Sequence, residues 1–240
     1  MRLGFYVNPL VKLRKRNGLG EPEPAVFASL AMSAGAQVVL VGWSKSGGLI
    51  TERDIKVIRD VIHGDFIAVI PCDEASIDFT VKLRPAGVIL VSGGWNGKDD
   101  IQPVQMEVDA SNVSTIAHSY KAASVSASIF IDPIPSSVKA AAKAGLAGVV
   151  IDAAAYADAL TDSEAEKELC RIEDAVLAAQ KFSLIPAIIN HLDYRNLAPI
   201  ARIRFIEDVY CGQAIISRAL MKGIDQAVTE MISLIERSCN

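Results

Sequence analysis

A closed barrel of eight parallel strands, each followed by a helix, is the fold class this sequence predicts. It is read as a single (β/α)₈ TIM-barrel domain over residues 1–240, with extra helical segments. Three observations predict it. A chain of 240 residues is close to the usual size of one such barrel and long enough for one large core. Short apolar runs, rich in β-branched residues, alternate with longer amphipathic segments from one end to the other. The turn after the first run is Asn8-Pro9-Leu10 with no GxGxxG, and eight strands exceed what an open doubly wound sheet normally holds.

The strands are expected at 2–8, 37–43, 65–72, 87–93, 126–132, 146–153, 184–190 and 207–212. Their brevity separates them from buried helices. Among the helices, Thr51 opens TERDIKVIRDVIH as a cap with Asp54 three residues on. Ser163 is read as the cap of a helix running to about Phe182, with acidic residues in its first turn. Ser136 to Gly145 closes on a glycine suited to a left-handed C-cap. Two longer connections, 9–24 and 93–107, read as loops that either cover the barrel mouth or run along the surface.

Composition narrows the function classes. Just over half of the residues are hydrophobic and few are aromatic, so Ala, Val, Ile and Leu must build the core, as suits parallel strands under helices. The net charge is −4, and the one basic cluster, Lys12, Arg14, Lys15 and Arg16, is short, which argues against nucleic acid. The four cysteines have no CxxC spacing and no clustered histidines, so neither a metal site nor a disulfide framework is expected. With no apolar stretch of membrane-spanning length and no signal-peptide pattern, the expectation is a soluble, cytoplasmic protein without membrane contact.

In such barrels function sits at the C-terminal ends of the strands. Those ends also carry a resemblance. LGFYVNPLVKLR at the start, EPEP, ITERD at 50–54, FIDP at 130–133, VKAAAKAG at 138–145, AYADALT at 155–161, GQAIISRAL at 212–220 and AVTEM at 227–231 run collinearly with the pyridoxine 5′-phosphate synthase family. The chain resembles that family along essentially its whole length. The resemblance implies a barrel, homo-oligomers, and no metal or organic cofactor. It implies chemistry that joins an amino-ketone phosphate to deoxyxylulose phosphate by repeated proton transfers. The family supplies histidines after strands two and seven and a glutamate on strand three; the matching positions here are Gly42, Asn190 and Val69. None of these exchanges a proton near pH 7. Family polar positions on strand one read Tyr6, Asn8 and Pro9, those on strand six read Val150 and Asp152, and the arginine after strand two reads Ser44. By this comparison the chain resembles a divergent paralogue.

Several residues remain as candidates. Gly212-Gln213 stands where strand eight passes into a helix, so backbone N–H groups there either bind a phosphate or merely form a tight turn. Arg14 matches a substrate-contacting arginine of the family, or is a solvated member of the basic cluster. Asn8, Ser44 and Asn190 stand at family substrate positions, and Asn190 has a side chain able to hydrogen-bond a carbonyl. Asp132 and Asp152 end strands five and six as a potential base and its partner or as ligands of a hard cation, though no ligand spacing supports a metal, and Asp132 alternatively as a helix cap. His191, displaced by one position from the family histidine, is the one histidine expected at the mouth, for acid–base work or as a satisfied loop residue; His63 and His118 fall on helices, at the surface or at helix ends. Trp43 and Trp95 line a pocket for a planar ligand, form a subunit contact or pack in the core.

Three functional readings follow. The chain binds a small phosphorylated or anionic metabolite and catalyses an altered reaction, a synthase or lyase type of step. Alternatively it is a non-catalytic barrel binding a ligand or a protein. The third reading is pyridoxine 5′-phosphate synthesis by substitute residues.

Overall fold

The computed structural model describes residues 1–17, 21–45, 47–48, 50–93 and 101–239; Trp95 and much of the 93–107 connection lie outside them. The chain runs β1 (Arg2–Tyr6), α1 (Asn8–Asn17), α2 (Pro24–Ser33), β2 (Val38–Gly42), α3 (Glu52–Val61), β3 (Asp65–Pro71), α4 (Ile77–Leu83), β4 (Gly87–Val91) and α5 (Met106–Ala122). It continues through β5 (Ser126–Ile131), α6 (Pro135–Lys143), β6 (Gly148–Asp152), α7 (Ala154–Ala157), α8 (Asp162–Lys181), β7 (Ile185–Ile189), α9 (Leu197–Ala201), β8 (Asp208–Cys211), α10 (Gln213–Lys222) and α11 (Ile224–Cys239). The eight strands pair in chain order, all parallel, and β8 closes on β1 from Arg2↔Asp208 to Phe5↔Cys211. All eight fall inside the runs expected from sequence.

Strand alternation divides the apolar residues into two compartments. Leu40, Val69, Ile89, Phe130, Val150 and Tyr210 fill the barrel. Their neighbours Val39, Val41, Ala68, Ile70, Leu90, Ile129, Ile151 and Val209 face the helical ring. Burying each larger aliphatic side chain contributes about 2 kcal/mol, so the doubly buried strands are the main source of stability. The interior is filled tightly enough to dictate a glycine. A Cβ on Gly4 would stand 2.5 Å from the Tyr210 ring and 2.8 Å from Leu40. The floor is closed by charge: Arg2 donates to both carboxylate oxygens of Asp208 (2.7 and 3.0 Å) and to Asp65 (2.8 Å), and the Tyr210 hydroxyl donates to Asp208 (2.9 Å).

Four local expectations change. The connection after β1 is not a loop throughout, since α1 occupies its first half. Pro9 presets a helical φ in the first turn, and Leu10 and Val11 are buried beneath it. The α8 cap is Thr161, not Ser163: its hydroxyl accepts from the Glu164 N–H (3.2 Å), and the Glu164 carboxylate accepts from the Thr161 N–H (3.2 Å). A full capping box satisfies two orphan donors and so outcompetes a serine two residues later. Asp132 does not cap α6. The cap position is Ile134, whose N–H donates to the Asp132 carbonyl oxygen (2.7 Å), so the Asp-Pro turn is made by backbone alone. His63 lies just past the end of α3, exposed, whereas His118 is on α5 as expected.

Candidate functional site

A cleft of about 960 Å³ opens at the C-terminal ends of the strands, the end where such barrels carry their sites. Its walls come from one side of the barrel. Tyr6, Pro9 and Lys12 follow β1; Asp152 and Ala154 follow β6; Ile189 to Arg195 follow β7; and Tyr210 to Met221 include the start of α10. Ile101 and Gln102 complete it from the β4–α5 connection.

Asp152 and Asn190 form its polar centre. Asp152 has the same strand parity as Val150, which packs inside the barrel, so it stands on the inward side at the mouth. One carboxylate oxygen, Oδ1, accepts from the Ala154 N–H (2.9 Å) and from the Asn190 amide (3.0 Å). Oδ2 receives no hydrogen bond from any described residue. Burial pushes the Asp152 carboxyl above the ordinary carboxylate range; the two donors and His191 pull it back, and Asp132 adds to the rise.

Asn190 and His191 both have positive φ, 78° and 54°, in a turn without glycine. Such backbone costs on the order of 1 kcal/mol per residue and persists only where its surroundings hold it. Here the Asn190 amide is held by Asp152, and the Asn196 amide donates to the His191 carbonyl (3.1 Å). The His191 ring lies at the exposed rim, its Nδ1 2.7 Å from Asp158 Oδ2. The imidazole thus lines the cleft while engaged with the loop after α7.

Gly212 precedes α10 and lines the same cleft, but its lack of a side chain has a packing cause. A Cβ there would meet the Tyr6 carbonyl oxygen at 2.5 Å and Pro9 at 3.1 Å. Gln213 is exposed, and its amide donates to Ser217 (3.4 Å). The α10 N-terminus borders the cleft through Gly212, Gln213 and Ala214, and brings to it the partial positive charge of a helix start.

The remaining expected residues are not gathered there. Arg14 makes two hydrogen bonds to Asp54, NH1 to Oδ1 (2.9 Å) and NH2 to Oδ2 (2.7 Å), tying α1 to the α3 capping box. Asn8 is buried, and its amide both donates to the Gly42 carbonyl (3.0 Å) and accepts from the Gly42 N–H (2.7 Å). It thereby replaces a sheet contact where β1 and β2 end. Trp43 shares the outward parity of Val41 and packs in the helical layer against Phe79, ring centroids 4.1 Å apart. Ser44 is buried, and neither it nor Asp132 lines the cleft.

Sequence reasoning missed Tyr194, Arg218 and Glu230. The Arg218 guanidinium lies 4.2 Å from the Tyr194 ring centroid and 3.5 Å from Glu230, and both Arg218 and Tyr194 line the cleft. Their separation along the chain gave no local signal. Buried Cys211 is no nucleophile, because desolvation pushes its thiol up to about 12. Among the described residues no three metal-ligating side chains cluster, and no helix is long and apolar enough to cross a membrane.

With this geometry in view, the chain can be set beside known proteins. The family model described as "Pyridoxal phosphate biosynthesis protein PdxJ" matches residues 3–237. A pyridoxine 5′-phosphate synthase from Syntrophotalea carbinolica is 31% identical over 242 residues, covering 97% of this chain and 98% of its own. One from Chloroherpeton thalassium is 29% identical over 248 residues, covering 98% and 100%. Among solved structures, a thiamine phosphate pyrophosphorylase from Pyrococcus furiosus superposes with a TM-score of 0.63 at 11% identity, over 100% of this chain and 97% of that one. A phosphoribosyl anthranilate isomerase from Thermotoga maritima does so with a TM-score of 0.62 at 11% identity, over 99% of each. At that identity these structures speak for the barrel alone.

Proposed function

The chain belongs to the PdxJ family of pyridoxal phosphate biosynthesis proteins, and on that premise we propose that its cleft binds one small phosphorylated or otherwise anionic metabolite and turns it over by chemistry other than the family's ring-closing condensation. One observation carries this reading. Asp152, with a carboxylate oxygen to which no described residue donates, faces the same cleft as the N-terminus of α10. Meanwhile Gly42, Val69 and Asn190 stand where the resemblance places proton carriers. An anionic group held at the helix start would leave the body of the ligand beside Asp152. A carboxyl raised by burial is suited to move a proton in either direction, which in enzymes is worth about 10²–10⁴ in rate.

The test begins with binding. Inorganic phosphate or a small sugar phosphate at a hundred times its Kd should add about 2.7 kcal/mol of stability, seen as a rise in melting temperature. No shift with any phosphorylated compound would overturn the anionic-ligand reading. Asp152→Asn then separates binding from chemistry. Asparagine keeps an acceptor for Ala154 and Asn190 but removes a negative charge from the cleft. Phosphate binding should survive or tighten, while turnover of any substrate found should fall by about 10²-fold or more. Full activity in that variant would remove Asp152 from the mechanism.

Stability gives the same residue an independent check. A carboxyl whose folded pKa is raised favours the folded state when protonated and opposes it when ionised. Asp152→Asn should therefore raise the melting temperature near neutral pH. The gain should disappear as pH falls through the native carboxyl's raised pKa toward the ordinary carboxylate value. A loss of stability at neutral pH would contradict it.

A non-catalytic, ligand-binding role is the second reading, and the apolar interior favours it: Val69, Phe130 and Val150, packed inside the barrel, carry no exchangeable side-chain proton. Phosphate binding with no turnover of any bound compound would select it. Pyridoxine 5′-phosphate synthesis by substitute residues predicts formation of that product above a blank, which the present reading does not expect.

A further inference from the structure

We propose that Ile101 determines which ligands the cleft accepts, by plugging the half of the barrel mouth over β2–β5 and stopping the body of the ligand there. Two independent features support this. First, Ile101 is 5% exposed although it belongs to a connection between β4 and α5, and it packs in the same apolar cluster as the barrel interior, with Tyr6, Val69, Phe130 and Val150. The residues that follow it are tied down twice, by the Ser92 N–H donating to the Gln102 carbonyl (2.9 Å) and the Val104 N–H donating to the Phe130 carbonyl (2.8 Å). Second, apart from Ile101 and Gln102 themselves, the described residues lining the cleft come from β1, β6, β7, β8 and the segments that follow them, and none lies on β2, β3, β4 or β5. Ile101 stands at that boundary, in the cluster on one side and in the cleft wall on the other.

The chemical consequence is a graded cleft. Its polar lining includes Asp152, Asn190 and the α10 start, and its apolar and aromatic lining includes Ile101, Tyr6, Ile189 and Tyr210. A matching ligand has a single anionic head and a short apolar or neutral body that ends against Ile101. A longer body must turn out to solvent. This rests on the anionic-head reading above, and the experiment separates the two.

Alkyl phosphates from methyl to octyl are titrated against the native protein and against Ile101→Ala, Ile101→Val and Ile101→Phe, with melting shift and calorimetry as readouts. In the native protein affinity should stop rising at a short chain. In Ile101→Ala the rise should continue for two or three further methylenes at about fourfold each, more than tenfold in all. Ile101→Val, which is the least disruptive to folding, should extend it by about one methylene, and Ile101→Phe should shorten it. The same length profile in the native protein and the valine and alanine variants would overturn the proposal. If methyl phosphate and inorganic phosphate bind none of the proteins, the anionic-head reading fails, and hexanol decides the plug alone. Stabilisation of Ile101→Ala but not of the native protein by hexanol supports it, and equal behaviour overturns it.

Discussion

Gly212→Ala is expected to destabilise the protein by about 3 kcal/mol or more, lowering the melting midpoint by about 10 °C. The added methyl would lie 2.5 Å from the Tyr6 carbonyl oxygen, a backbone atom at the end of β1 that cannot swing aside as a side chain would. Relief requires β8 or the start of α10 to move away from β1, across the seam that closes the barrel. The cost of that contact is steric, since the Gly212 φ of −132° is negative and no left-handed conformation is involved. This gives the experiment its meaning. A glycine before a helix at a barrel mouth invites a phosphate explanation, and that explanation alone predicts lost ligand binding in a protein of normal stability. Thermal unfolding without ligand distinguishes the two. An unchanged midpoint would show that β1 does not press on this position.

Asp54 carries the second large effect. Its carboxylate is 5% exposed and accepts both guanidinium hydrogen bonds of Arg14, together with the Thr51 N–H and hydroxyl (2.8 Å each). Although burial opposes ionisation, Arg14 and Thr51 together hold the Asp54 carboxyl down to about 2. A depressed carboxyl contributes stability above its unfolded pKa and loses it as pH falls through the folded value. Asp54→Asn should therefore cost on the order of 2 kcal/mol at pH 7, with the difference shrinking from about pH 4 down to about pH 2. Asp54→Ala should cost more, about 3–5 kcal/mol, because it also removes the acceptor of two Arg14 hydrogen bonds at a mostly buried site and the side-chain half of the α3 capping box that Asp54 supplies. Urea unfolding of the three proteins from pH 7 to pH 3 checks both. A penalty for Asp54→Asn that is the same at every pH would mean that the ionised carboxylate is not its source.

The Arg14–Asp54 pair also shows how far a sequence can be read toward a site. Arg14 stands in a basic run, and Asp54 stands in a capping box legible from Thr51 onward. Nothing in either segment indicates that α1 folds against α3. Trp43 is the contrary case. Strand parity with Val41 was available in the sequence and pointed outward, to the place where Trp43 packs on Phe79. Asp152 could be placed at the mouth by the same parity, from Val150. Its pairing with Asn190 could not, since it depends on two consecutive left-handed residues that have no glycine to announce them.

What the sequence by itself determined is the barrel. Short, continuous apolar runs at regular spacing specify eight buried parallel strands, a local property of each run, and barrels of this kind carry their sites at the strands' C-terminal ends. What only the tertiary structure decided is which polar residues meet there. Arg14 is taken by Asp54 and Asn8 by the Gly42 backbone, Ile101 joins the apolar cluster of the barrel interior, and Gly212 answers to Tyr6 before it answers to any ligand. Each of these contacts joins segments far apart in the chain. Their energies come from close packing and charge pairing at distances of a few ångströms, and no spacing along the sequence encodes such distances.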